Sequence, residues 1–192
     1  MKRMWVGIDP GRSSGAMAWT DGHLEGAMPF GKLGDDPTSF AVAYFGFLRK
    51  LRDSYPDHDF RCCLERVWAS PPRDPTHCRK CKAKLPEGHL VCSRCRSDNA
   101  HQMGAQTMFT FGQNFGHLEM GLIACGIPYR LVIPRAWQSP FDLLSKKRES
   151  TTEKKNRHKA RAMEYFTEMK VTHAIADSLL IAEYCRRTWR ME

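Results

Sequence analysis

Trp5-Val6-Gly7-Ile8-Asp9-Pro10-Gly11, continued by Arg12-Ser13-Ser14-Gly15-Ala16-Met17-Ala18-Trp19, is the stretch that decides the fold. Apolar residues run up to Asp9, Pro10-Gly11 breaks the run, and Ala16 to Trp19 resume it, which predicts a strand, a tight turn and a second strand. Asp is depleted in strands, and its charge is costly to bury without a partner. A carboxylate closing an apolar first strand therefore has two readings. It is a turn residue that hydrogen-bonds its own backbone, or it is a ligand for metal or phosphate.

Working outward, Ala27-Met28-Pro29-Phe30 ends a third strand, and Pro37-Thr38-Ser39 opens a helix through about Ser54. Phe40, Ala43, Tyr44, Phe47, Leu48 and Leu51 recur there at helical spacing. Phe60 to Trp68 reads as a fourth strand, with Glu65 on the face of Cys63 and Val67 because strand side chains alternate. Residues 101 to 125 read as a long helix in which Gly112 and Gly116 would permit close packing on another helix or a partner subunit. Pro128 to Ile133 is a last short strand. A basic stretch over 145–159 leads into a helix ending near Phe166, and a final helix runs from about His173 to Arg187. On that helix Asp177 has His173 and Ala174 on one side and Leu180 and Ile181 on the other, so this acid lies on an apolar face. The order is that of an α/β protein with a mixed sheet flanked by helices, and acids on strand one, strand four and the last helix. The ribonuclease H-like fold has this arrangement.

The chain has 192 residues, enough for one domain and an appended module. An apolar share of 42% and a charged share of 27% are those of a folded globular protein. Thirty Lys and Arg against 21 Asp and Glu leave a net charge of +9, which favours a polyanionic partner, nucleic acid first and an acidic membrane surface second. No apolar run is long enough to span a membrane, and the expectation is a soluble, cytoplasmic protein. Cys62, Cys63, Cys125 and Cys185 lie in apolar segments and read as buried thiols.

The other four cysteines form Cys78-x2-Cys81-x10-Cys92-x2-Cys95, the spacing of a zinc ribbon that would hold one structural Zn²⁺ with four thiolates. Residues 73–100 are charged and poor in large apolar side chains, so they read as an insertion between 1–72 and 101–192, folded around metal instead of a core. Arg73, Arg79, Lys80 and Arg94 would give it a basic surface for DNA, with a stabilising knob or a protein-docking site as the other readings. Lys146, Lys147, Lys154, Lys155 and Arg157 offer a second set of phosphate contacts, which add affinity without reading sequence. Phe109, Phe111 and Phe115 are core residues or include a wedge that stacks on bases.

Gly7-Ile8-Asp9-Pro10-Gly11, Leu64-Glu65-Arg66-Val67, Gln113-Asn114-Phe115-Gly116, Ile133-Pro134-Arg135-Ala136-Trp137 and His173-Ala174-Ile175-Ala176-Asp177-Ser178-Leu179-Leu180-Ile181-Ala182 follow one another as in RuvC-like Holliday junction resolvases. The chain most resembles the bacteriophage members, whose host cell would be bacterial, except that the family lacks the ribbon. The resemblance implies a ribonuclease H-like mixed five-stranded sheet with flanking helices. It further implies a homodimeric endodeoxyribonuclease that resolves four-way junctions by paired symmetric nicks. Mg²⁺, two ions per site with Mn²⁺ as a substitute, would be held by Asp9, Glu65 and Asp177. Lys155 would contact the scissile phosphate. His173 stands one position away from the family's fourth ligand, which here is Ala174, and so is a candidate ligand or general acid. Sugar kinases and actin-like ATPases share the Gly-Ile-Asp opening but need two such domains. A nuclease of forks and flaps, or a junction-binding module without catalysis, are the alternatives within DNA chemistry.

Overall fold

The computed structural model describes residues 2–11, 14–23, 25–67, 77–78, 80–86, 91–96 and 105–189. Arg73 and Arg79, and Trp68 at the expected end of the fourth strand, lie outside the described residues.

Three antiparallel strands come first: β1 (Lys2–Asp9), β2 (Ala16–Thr20) and β3 (Glu25–Pro29). Helix α1 (Pro37–Ser54) follows, started by Asp36, whose carboxylate accepts from Thr38 N at 2.8 Å and Ser39 N at 3.0 Å. Strand β4 (His58–Glu65) then pairs in parallel with β1, and β5 (Tyr129–Val132) pairs in parallel with β4. The five strands lie in the order β3-β2-β1-β4-β5. Helix α2 (Ala105–Ala124) precedes β5, and the short α3 (Pro134–Gln138), α4 (Thr151–Tyr165) and α5 (Ala176–Thr188) follow it. A Ser150–Glu153 capping box starts α4: Glu153 N donates to Ser150 Oγ at 3.2 Å, and Ser150 N donates to Glu153 Oε2 at 2.8 Å. Among the described residues no helix is long and apolar enough to cross a membrane.

Strand alternation sorts the core onto the two faces of the sheet. Met4, Val6 and Ile8 of β1 with Phe60, Cys62 and Leu64 of β4 pack with Phe40, Tyr44 and Leu48 of α1 and Leu118 and Leu122 of α2. Trp5 and Cys63 face the other way, into a cluster with Trp137, Ala162 and the buried side of α5. Gly7 shares that second face. A Cβ there would run into the backbone of Ser178, Ile181 and Ala182 well inside van der Waals contact, so the missing side chain is what lets α5 lie directly on β1.

Two boundaries differ from expectation. Strand β4 ends at Glu65 and not near Trp68. Helix α5 begins at Ala176, with residues 173–175 in a turn, so His173 precedes the helix instead of sharing a helical face with Asp177. Among the described residues the expected tight packing on Gly112 and Gly116 is not seen, because a Cβ at either would meet no described atom within 4 Å. Of the three phenylalanines, Phe115 packs on the core, whereas Phe109 is 70% exposed.

The chain divides into two compact units, Met1–Val67 with Gln113–Glu192, and Trp68–Gly112. The second holds a cluster of its own in which Leu85 packs with Cys78, Cys81, Cys92 and Cys95.

Candidate functional site

Asp9 and Glu65 end adjacent parallel strands. The register that sets Gly7 opposite Cys63 and Ile8 opposite Leu64 brings the two acids side by side at the carboxyl edge of the sheet, on the α5 face. Helix α5 supplies the third acid. With Ser178 seated over Gly7, Asp177 falls in the first turn of α5, where the positive end of the helix favours a carboxylate.

The electrostatics of the three are mutual. The Asp9 carboxyl is pushed up from its ordinary 3.8 to about 7, first by burial and then by the charges of Glu65 and Asp177; the Gly11 N–H and Lys155 oppose the rise. Glu65 is also raised, by burial first and by Asp177, against the pull of the Trp137 N–H, Lys154 and His158. The turn reading of Asp9 holds in part, since its Oδ1 faces Gly11 N at 3.4 Å. Among the described residues that long bond is the one the carboxylate makes, and the charges of its two acidic neighbours act on it as well. Partly buried carboxylates of this kind fit a divalent cation, which would offset both the burial and the repulsion that raise Asp9.

Helices α3 and α4 reach the acids from the side. The Trp137 indole N–H donates to Glu65 Oε1 at 3.0 Å, and His158 Nδ1 lies 2.7 Å from Asp177 Oδ1. Neither contact is among the sequence expectations, although Trp137 stands in one of the five motifs. His158 carries a weaker signal. It is the buried polar member of a stripe continued by Ala162 on an otherwise strongly charged helix.

The remaining candidates are dispersed around this cluster. Lys154 and Lys155 both act on it, Lys154 on Glu65 and Lys155 on Asp9. His173 is exposed and its Nε2 is paired with Asn156 Oδ1 at 2.9 Å. Lys146 and Lys147 are exposed. Arg157 is committed internally: Nε and Nη2 donate to Glu149 at 2.9 and 2.8 Å, Nη1 to Asp142 O at 2.9 Å, and Nη2 to Leu144 O at 3.1 Å. It fixes the 142–149 loop that carries the two lysines.

In the second unit Cys78, Cys81, Cys92 and Cys95 have their sulfurs all within 4.8 Å of one another, with Sγ–Sγ distances of 3.5 Å (78 to 95) and 3.6 Å (81 to 92). No other group of three or more ligating side chains among the described residues is drawn that close. The two knuckles repeat one geometry. Lys82 N donates to Cys78 O at 3.0 Å and Arg96 N to Cys92 O at 2.8 Å, and Lys82 and Arg96 have left-handed φ of 61° and 56°. Such a closed tetrad of thiols fits structural zinc and leaves no position for a substrate. Lys80 and Arg94 are exposed on it.

No family model matches the sequence, and no curated protein matches it. Solved structures do match by shape. The chain is similar to RuvC of Thermus thermophilus in complex with a Holliday junction substrate, with a TM-score of 0.56 and 10% identity over 97% of this chain and 96% of that one. A second Thermus thermophilus RuvC structure gives 0.50 and 10% identity over 93% and 90%. The likeness establishes the fold, a ribonuclease H-like mixed sheet with flanking helices, and this chain carries a four-cysteine cluster consistent with a zinc ribbon.

Proposed function

We propose that the chain is a Mg²⁺-dependent endodeoxyribonuclease that resolves four-way DNA junctions by paired symmetric nicks, of the RuvC-like, bacteriophage type. The observation that carries this reading is the convergence of Asp9 and Glu65 from adjacent strand ends with Asp177 from the first turn of α5, where burial first, and the charges of Glu65 and Asp177 second, lift Asp9 to about 7. Asp9, Glu65 and Asp177 would hold the metal. Magnesium bound there supplies charge neutralisation at the phosphoryl oxygens and orientation for an attacking water. Lys155 and Lys154 bind the scissile phosphate and its neighbour, keeping the phosphorus beside the acids. For His173 the exposed position and the bond to Asn156 favour proton donation to the departing sugar oxygen over metal ligation.

A nearly two-fold substrate is best met by a two-fold enzyme. Gly116, Met120 and Ile123 of α2 recur at helical spacing, and Met120 and Ile123 are 59% and 55% exposed. An isologous dimer would cover this stripe. Lys146 and Lys147 extend the phosphate contacts along the duplex arms. The ribbon, holding one structural zinc, adds Lys80 and Arg94 as a further basic surface for the DNA, with Arg73 and Arg79 in the same segment.

Two experiments address the reading. Binding and cleavage of a four-way junction beside a linear duplex, a fork and a flap fixes the substrate class; the junction is expected to be cut in preference to all three. Equal cutting of forks and flaps would replace the resolvase by a broader branched-DNA nuclease, and junction binding without cutting by a DNA-binding module. For the ribbon, Cys92→Ser with Cys95→Ser is expected to eliminate bound zinc by elemental analysis and to open the segment around Cys78 to proteolysis, because metal binding there supplies about 10 kcal/mol or more of folding energy. The nuclease unit keeps its own two core clusters and should remain folded, with weakened junction binding.

A further inference from the structure

We propose that Trp137 and His158 act as a paired positioning device, each ring holding one oxygen of one acid so that the other oxygen faces the metal. The inference rests on the metal-dependent reading above and deepens it. Trp137 is fully buried and His158 is 3% exposed, and the two rings meet edge to face with centroids 5.7 Å apart at 83°. One bonds Glu65 Oε1 and the other Asp177 Oδ1. A strand end and a helix start are thereby tied through a single aromatic contact.

The chemistry of each ring makes the arrangement directional. Indole N–H can only donate. A carboxylate oxygen accepts, so His158 Nδ1, 2.7 Å from Asp177 Oδ1, is the donor of that bond too. Its Nε2 is buried and has no hydrogen-bond partner among the described residues, an arrangement that costs free energy and serves no evident packing purpose. That cost is intelligible if the ring is kept for what Nδ1 does. Hydrogen bonds to ligating carboxylates set ligand orientation and commonly change metal affinity by about 10–100-fold.

The test compares His158→Asn with His158→Gln in the full-length protein. The Asn amide N–H can stand where Nδ1 stands, whereas the longer Gln places it where Nε2 does. Mn²⁺ binding is followed by electron paramagnetic resonance in Mg²⁺-free buffer, with thermal melting alongside and Asp9→Asn as the control for the site. The expected result is a Mn²⁺ Kd within about threefold of wild type for His158→Asn and weakened about tenfold or more for His158→Gln. Trp137→Phe, which keeps an aromatic edge and loses the N–H, is expected to weaken binding similarly. Equal Mn²⁺ affinity for the Asn and Gln variants, with Asp9-dependent binding intact in wild type, overturns the positioning role and leaves the nuclease reading standing. Absence of Asp9-dependent Mn²⁺ binding in wild type overturns both.

Discussion

Asp9→Asn is expected to lower junction cleavage by about a thousandfold or more while making the metal-free protein more stable above neutral pH. The first effect follows if Asp9 holds metal whose charge stabilisation is worth several kcal/mol in the transition state, since about 1.4 kcal/mol is tenfold in rate. The second follows from linkage. Because the folded-state value of about 7 lies above the ordinary 3.8, the stability this group contributes is fully present below about 3.8 and is lost as pH rises through about 7. The rise corresponds to at most about 4 kcal/mol at pH 8. Asn mimics the protonated acid and removes the penalty. Urea titrations at pH 5 and pH 8, in divalent-free buffer without a chelator that would strip metal from the four cysteines, should show Asp9→Asn gaining clearly more on wild type at pH 8 than at pH 5. An equal difference at both pH values would mean that Asp9 ionises freely and that the three acids do not repel.

The second large effect is expected at Gly7. In Gly7→Ala the new methyl meets the backbone of α5 at Ser178, Ile181 and Ala182, and backbone cannot rotate away as a long side chain can. Either the helix lifts or β1 shifts. We expect a loss of about 3 kcal/mol or more, read as a lower urea midpoint with an unchanged slope. The same displacement carries Asp177 with it, because Asp177 precedes Ser178 on that helix. A shift of about 1 Å in a catalytic group can cost about a hundredfold in rate, so the folded fraction should also cleave poorly. Retention of wild-type stability by Gly7→Ala would show that α5 does not rest on β1.

Gly7 and Asp9 also show why so much of this site is legible in the sequence. Two residues apart on a strand, they must share a face, and the same alternation places Glu65 with Cys63. Leu180 and Ile181, three and four residues on, mark Asp177 as an acid at the edge of a buried helical face, and the cysteine spacing alone points to the four-thiol cluster. These are local periodicities, and local periodicity survives folding.

What the sequence does not disclose depends on contacts between distant segments. His158 meets Asp177 across 19 residues of sequence and Trp137 meets Glu65 across 72, and nothing in the spacing of either pair announces it. The start of α5 departs from expectation for a related reason. His173-Ala174-Ile175 carries a helical pattern, but His173 bonds Asn156 of α4, and the chain turns before the helix begins at Ala176. Arg157 belongs to a basic run that suggests uniform exposure, yet its guanidinium is bound to Glu149 and to the carbonyls of Asp142 and Leu144. A charge run gives composition and not the partner of each charge.

The most direct test of the central claim is nucleotide-level mapping of cuts in a four-way junction, each strand labelled in turn, with wild-type protein in Mg²⁺. Nicks are expected at matching positions on two opposed strands, and none without divalent metal. Failure to cut any strand of the junction, by protein that is folded and binds it, would show that the chain is not a junction nuclease.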